Sequence, residues 1–223
     1  MKPRPANGSK MNGAPQAPAH NNGNAFALRV LGIDPAAAGA TGYAVIDARG
    51  PACAAVHYGA IPAARKAAAD VPARLKQIHL CIAELIEQFS PDSLALESIF
   101  SALNVKTALR LAEVRGVILL AAAERGLPVH SYSPREVKAA VTGYGQAEKS
   151  QIQQMVRALL SLKELPQPAD AADALAVALC HIQTARNEAR FGVAARLLAA
   201  PRPVRNNSLR GNLARLPRVL SVR

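Results

Sequence analysis

No apolar run in this sequence approaches the roughly 18 residues that a membrane-crossing helix needs, and the opening residues MKPRPANGSK lack the apolar core of a secretory signal. A membrane protein is excluded on that ground, and the expected compartment is the cytoplasm. Cysteine is scarce as well: Cys53, Cys81 and Cys180 are odd in number, far apart and without metal-site spacing. That pattern excludes a disulfide framework and a zinc site and predicts buried free thiols. No internal repeat is present, so the 223 residues read as one domain with a substantial core rather than a stacked array.

Acidic residues are nearly missing from the two ends. Residues 1–29 carry Lys2, Arg4, Lys10 and Arg29 with no acid, and residues 186–223 carry nine arginines against the single Glu188. Between them, residues 30–185 have 14 basic and 14 acidic side chains, so the net charge of +12 resides in the ends. Basic ends of this kind suit a polyanion such as nucleic acid. The first residues are rich in Asn, Gly, Pro and Ala and cannot bury enough apolar surface to offset the entropy of ordering. The expected organisation is a disordered leader over 1–27, one folded domain over 28–188, and a basic, flexible tail over 189–223.

What is present inside the domain is a regular alternation of short apolar runs and amphipathic stretches. Leu28–Asp34, Thr41–Asp47 and about 53–61 read as three strands joined by turns at Pro35–Ala40 and Asp47–Pro51, an antiparallel meander. Leu75, Ile78, Ile82, Leu85, Ile86 and Phe89 recur at helical spacing, which predicts a helix over 71–89. A buried strand follows at Ser93–Glu97, then a helix over 104–125 stopped by Gly126-Leu127-Pro128, and a fifth strand at Val129–Tyr132. Ser133-Pro134 caps a short helix over 134–141. Two more helices are predicted over 147–161 and 169–188. Three meander strands followed by strand–helix units give an α/β fold: a mixed five-stranded sheet flanked by helices.

The acids of this domain fall at telling places. Asp34 closes the first strand and Glu97 closes the fourth, so in a parallel pair both carboxylates emerge at the carboxyl end of the sheet. Asp170 and Asp173 sit three residues apart in an alanine-rich helix, on one face and about a turn apart. Each acid alone could be a turn residue or a partner of the helix dipole. Four converging carboxylates would need cations to neutralise them, and oxygen-only ligands select a hard ion such as Mg²⁺ or Mn²⁺.

Six segments in order, Leu31-Gly32-Ile33-Asp34-Pro35, Thr41-Gly42-Tyr43, Ala95-Leu96-Glu97-Ser98-Ile99-Phe100, Arg115-Gly116-Val117, Gly145–Gln151 and Ala169–Ala176, resemble the RuvC family of bacterial crossover (Holliday) junction endodeoxyribonucleases. The resemblance covers about residues 28–185 and implies the ribonuclease H-like fold. It further implies a homodimer that nicks a four-way DNA junction symmetrically, leaving 5′-phosphate and 3′-hydroxyl ends, and that works with a RuvA–RuvB branch-migration complex. Carried over position by position, Asp34, Glu97, Asp170 and Asp173 become the metal-binding, catalytic acids, holding two Mg²⁺ ions per site, with Mn²⁺ able to substitute. Lys138 and Lys149 fall where the family has basic residues near the site, and Phe100 where it has an aromatic near the junction centre. Asn104 and Arg115 could contact the DNA backbone or brace the second helix.

The sequence departs from the family at the turn after Asp34. Ala36 replaces the usual glycine, and the turn looks one residue longer, with Gly39 displaced. Two other classes compete with a nuclease: a protein that holds junctions without cutting them, and a nucleotide-binding enzyme of the actin-like or sugar-kinase folds. Clustered acids facing a polyanion argue against the first. The second needs another such domain and phosphate-binding glycine loops, for which this sequence has no room.

Overall fold

The computed structural model describes residues 26–63, 70–98 and 104–190. Phe100, the expected leader up to Ala25 and the tail from Phe191 onward lie outside the described residues. Five strands and five helices appear in the expected order. The strands are β1 (Ala27–Asp34), β2 (Thr41–Arg49), β3 (Ala52–Ile61), β4 (Ser93–Glu97) and β5 (Val129–Tyr132). The helices are α1 (Val71–Phe89), α2 (Val105–Glu124), α3 (Pro134–Thr142), α4 (Lys149–Leu159) and α5 (Ala169–Arg190). The expected α4 began at residue 147, but Glu148 and Gln151 form a capping box that starts the helix at Lys149.

The strands form one sheet in the order β3-β2-β1-β4-β5. β1, β2 and β3 pair antiparallel, whereas β1–β4 and β4–β5 are parallel. The register puts Ile33 opposite Leu96, so Asp34 and Glu97 end neighbouring parallel strands at the same edge.

Strand periodicity sorts the side chains into two cores. Leu31, Ile33, Leu94 and Leu96 join Ile78, Ile82, Val114 and Ile118 under α1 and α2. Val30 and Ala95 point the other way and pack with Leu175, Ala178 and Ile182 of α5 and with Val137, Ile152 and Val156 of α3 and α4. By the same alternation, the residues that face α5 from β1 are Val30, Gly32 and Asp34, and from β4 they are Ser93, Ala95 and Glu97. The period of two therefore aims both carboxylates at the α5 side. All three cysteines are free, but only Cys180 is buried; Cys53 and Cys81 are half-exposed, because β3 is an edge strand and Cys81 lies at the margin of the α1 contact.

One polar cluster interrupts the α5 core. His181 is 5 % exposed, with Nδ1 2.6 Å from the Tyr132 hydroxyl, Nε2 2.9 Å from the Ser93 hydroxyl and its ring stacked at 4.3 Å on His130. The hydrogen bonds satisfy a neutral imidazole. Burial, reinforced by the neighbouring His130, pulls its pKa down from 6.5 to about 4. A depressed histidine pKa means that the unfolded chain binds the proton first. The contribution to stability is complete above about pH 6.5 and is lost as the pH falls toward about 4, amounting to about 3 kcal/mol across that window. Chemical denaturation at pH 7 and pH 4.5 should show this loss, and His181→Asn should shrink the difference between the two pH values while lowering stability at pH 7.

Candidate active site

The site is assembled at the carboxyl ends of β1 and β4 beneath the first turns of α5. Asp34, Glu97 and Asp173 line one cavity of about 250 Å³, walled by Pro134, Val137, Lys138, Lys149, Ile152 and Ala176. The carboxyl groups of Asp34 and Glu97 close neighbouring strands and act on each other. Burial first, then the neighbouring carboxyl of Glu97 and the charges of Asp173 and Asp170, push the Asp34 pKa up to about 9. The carboxyl of Asp34 is therefore kept neutral at physiological pH by its surroundings.

Asp173 is held differently. Its Oδ2 accepts a 2.6 Å hydrogen bond from the ammonium of Lys149, the first residue of α4, and this bond raises the lysine pKa. Asp170 does not line the cavity; it acts on Asp34 through its charge. The helical step of 100° turns it about 60° away from Asp173 and one turn nearer the helix start. Among the described residues no three acidic, histidine or cysteine side chains are gathered tightly enough to ligate one ion as they stand. The chemistry of the donor set still fits a hard cation, since the acids are all oxygen donors and one is protonated for want of a counter-charge.

What brings α5 so close is the absence of side chains on the sheet beneath it. A Cβ at Gly42, the β2 residue paired with Asp34, would lie 2.0 Å from the backbone oxygen of Asp170. One at Gly32 would lie 2.4 Å from the backbone oxygen of Ala174 and 2.7 Å from the Ala178 methyl. Only hydrogens fit there. The alanines of α5 complete the contact from the other side, so the helix backbone rests almost directly on β1 and β2.

Two of the remaining expected residues brace the fold. Asn104 caps α2, its side-chain oxygen accepting from the Thr107 amide at 2.9 Å. Arg115 donates to the backbone oxygen of Glu97 at 2.6 Å and to the Ser131 hydroxyl at 2.9 Å, strapping the ends of β4 and β5 together. Lys138 stands in the cavity wall. Sequence reading missed Arg74 of α1, which is buried and donates to Ala36, Ala37 and Gly39 in the turn after Asp34. Nothing in its helical pattern marks it, because its partners are backbone atoms of a distant turn.

The family model of the crossover junction endodeoxyribonuclease RuvC matches residues 30–181. The chain is 48 % identical over 156 residues to a crossover junction endodeoxyribonuclease RuvC of Brevibacillus brevis, covering 70 % of this chain and 92 % of that protein. It is 50 % identical over 155 residues to the one of Moorella thermoacetica, covering 69 % and 90 %. Among solved structures, Thermus thermophilus RuvC in complex with a Holliday junction substrate superposes with a TM-score of 0.67 at 34 % identity, over 73 % of this chain and 97 % of that one.

The close seat of α5 gives a direct expectation. Gly42→Ala should destabilise the fold by about 1–3 kcal/mol, as overpacking does, and shift α5 off the sheet. Denaturant unfolding measures the first, and loss of near-ultraviolet signal from Tyr43 and Tyr132 reports the second.

Proposed function

The chain belongs to the RuvC family of crossover junction endodeoxyribonucleases, and from that premise we propose that it resolves four-way DNA junctions by paired, symmetric nicks with the acids at the β1–β4–α5 junction as its catalytic centre. The observation that carries the reading is the single cavity shared by Asp34, Glu97 and Asp173 and walled by Lys138 and Lys149. Acids alone would repel a phosphodiester. A neutral carboxyl among the acids and a lysine on Asp173 leave a site whose negative charge is already partly offset by groups that a metal cation and a phosphate can replace.

Asp34, Glu97, Asp170 and Asp173 would hold divalent cations, Mg²⁺ by preference and two per site, with Mn²⁺ as a substitute. Bound there, such ions supply Lewis acidity and a nucleophilic water for in-line displacement at a phosphodiester, which leaves 5′-phosphate and 3′-hydroxyl ends. The protein's own part is positional. The parallel register of β1 and β4 sets the spacing of Asp34 and Glu97, Arg115 fixes the β4 end, and α5 delivers the two aspartates. Lys149 exchanges Asp173 for a DNA phosphate, with Lys138 beside it. Phe100 is proposed to meet an unpaired base at the junction centre, and Asn104 contributes through the helix start that it caps.

Symmetric nicking needs two sites. α2 carries an exposed apolar stripe of Val105, Leu109, Ala112, Gly116, Leu119 and Leu120 at helical spacing, with Leu109 61 % exposed and open space where a Cβ of Gly116 would stand. This stripe supports a homodimer in which two α2 helices pack closely against each other. The arginine-rich tail adds sequence-independent hold on DNA. No described helix is long and apolar enough to cross a membrane; the proposed setting is the cytoplasm, on DNA and alongside a RuvA–RuvB branch-migration complex.

Asp34→Asn should abolish cleavage of a labelled four-way junction in Mg²⁺ while retaining binding, because a neutral amide holds a divalent ion far more weakly than a carboxylate does. Binding without paired nicks by the unaltered protein would overturn the enzymatic reading. Leu109→Glu combined with Leu120→Glu should raise the dimer dissociation constant by roughly tenfold or more in sedimentation experiments and uncouple the two nicks.

A further inference from the structure

Arg74 does something that the catalytic acids do not explain. It is the one arginine or lysine buried among the described residues, 8 % exposed, and none of the ion pairs among those residues includes it. Its guanidinium instead donates to three backbone oxygens of the turn between β1 and β2: Ala37 at 2.5 Å, Ala36 at 2.6 Å and Gly39 at 3.0 Å. Burying a cation without an anionic partner is costly. Carbonyls of a surface turn have no need of such a partner, since water would satisfy them at lower cost.

The consequence lies on the opposite side of each peptide plane. The only cis bond among the described residues is Gln167–Pro168, so the peptides of the turn are trans and each N–H points opposite to the carbonyl before it. With the oxygens of Ala36, Ala37 and Gly39 drawn inward to Arg74, the amides of Ala37, Ala38 and Ala40 are directed away from it. None of the three has a hydrogen-bond partner among the described residues, and the one amide of the turn that does, that of Ala36, is 3.4 Å from the hydroxyl of buried Thr41. Ala38 and Gly39 are exposed, and apart from Pro35 the turn carries no side chain larger than methyl. Arg110 of α2 is near enough to act on Arg74 and adds a second positive charge to its neighbourhood. The turn thus offers solvent a short row of bare amide donors backed by positive charge, three to six residues after Asp34. That is the chemistry of an anion cradle.

We propose that Arg74 is a positioning residue that holds the 35–40 turn with its carbonyls inward, so that the amides of Ala37, Ala38 and Ala40 receive a backbone phosphate of the DNA next to the one being cut. The proposal rests on the nuclease reading above and adds to it a contact that fixes the strand. Left free to rotate, the same peptides would turn oxygens toward the DNA and repel it. The altered turn of this sequence, with Ala36 and a displaced Gly39, then forms a cradle of this chain's own geometry.

The test uses four-way junctions in which single phosphates within a few nucleotides of the cut are replaced, one at a time, by neutral methylphosphonates. Binding is measured in metal-free buffer, so that no strand is nicked, and cleavage of the unmodified junction in Mg²⁺ is measured separately as the check on the nuclease reading itself. In the unaltered protein one position beside the cut should cost about fivefold or more in affinity, as lost charge-assisted hydrogen bonds do. In Arg74→Met the penalty at that position should drop below about twofold, while the penalties elsewhere in the scan stay as they were; kcat should fall with it. Arg74→Lys restores the charge but not the three-way fork, and it should recover less than half of that penalty. It also takes the place of the methionine variant should thermal melts show that variant unfolded. Equal penalties in the unaltered and variant proteins, or no sensitive phosphate beside the cut, would overturn the cradle even if the protein cleaves junctions normally. A merely structural Arg74 would lower stability and leave the pattern of penalties unchanged.

Discussion

The site depends on one contact, the seating of the α5 backbone on β1 and β2. Gly32 and Gly42 leave room for backbone oxygens of α5 where any larger residue would place a carbon within 2.4 Å of one. The helix delivers Asp173 to the cavity and brings Asp170 near enough to act on Asp34, which ends the strand beneath it. A helix at the usual distance from a sheet, about 10 Å, would leave its acids short of those on the strands. The alanines of α5 and the two glycines are thus parts of the same device, and their small size is a requirement of the chemistry as much as of the packing.

Around that contact the charges are balanced pair by pair. The Asp34 carboxyl is held neutral among the other acids, and the Lys149 ammonium lies on Asp173. Arg115 and Arg74 place guanidinium groups on backbone oxygens at the ends of β4 and β1, so positive charge also surrounds the acids from the side of the main chain. Such a site is tolerable without DNA or metal, and its cations are ones that a polyanionic substrate and divalent ions can displace. The half-buried Asp47, by contrast, is locked by the guanidinium of Arg29 through two hydrogen bonds.

The order of strands and helices was legible because each element carried its own signal. The apolar spacing of α1, the Ser133-Pro134 start of α3 and the acids closing β1 and β4 are local features, and local features survive in sequence. The resemblance in six short segments then gathered four acids that no local rule connects. The roles of Asn104 and Arg115 stayed open in the sequence because capping and DNA contact use the same donors and acceptors; in the structure Asn104 caps α2 and Arg115 straps the ends of β4 and β5. Arg74 left no trace in the pattern of α1, where it occupies an inward position that an apolar residue would ordinarily take.

By itself, then, the sequence determined the elements and the two-faced strands, since these follow from periodicity, and its resemblance in six segments pointed to the four acids. Tertiary structure alone decided which acid is held neutral, which one a lysine holds, and that Asp170 acts from outside the cavity. It also decided that the turn after Asp34 is held from behind by a residue 40 positions on. Those outcomes depend on distances of a few tenths of an ångström between elements far apart in the chain, and the seat of α5 on two glycines sets them.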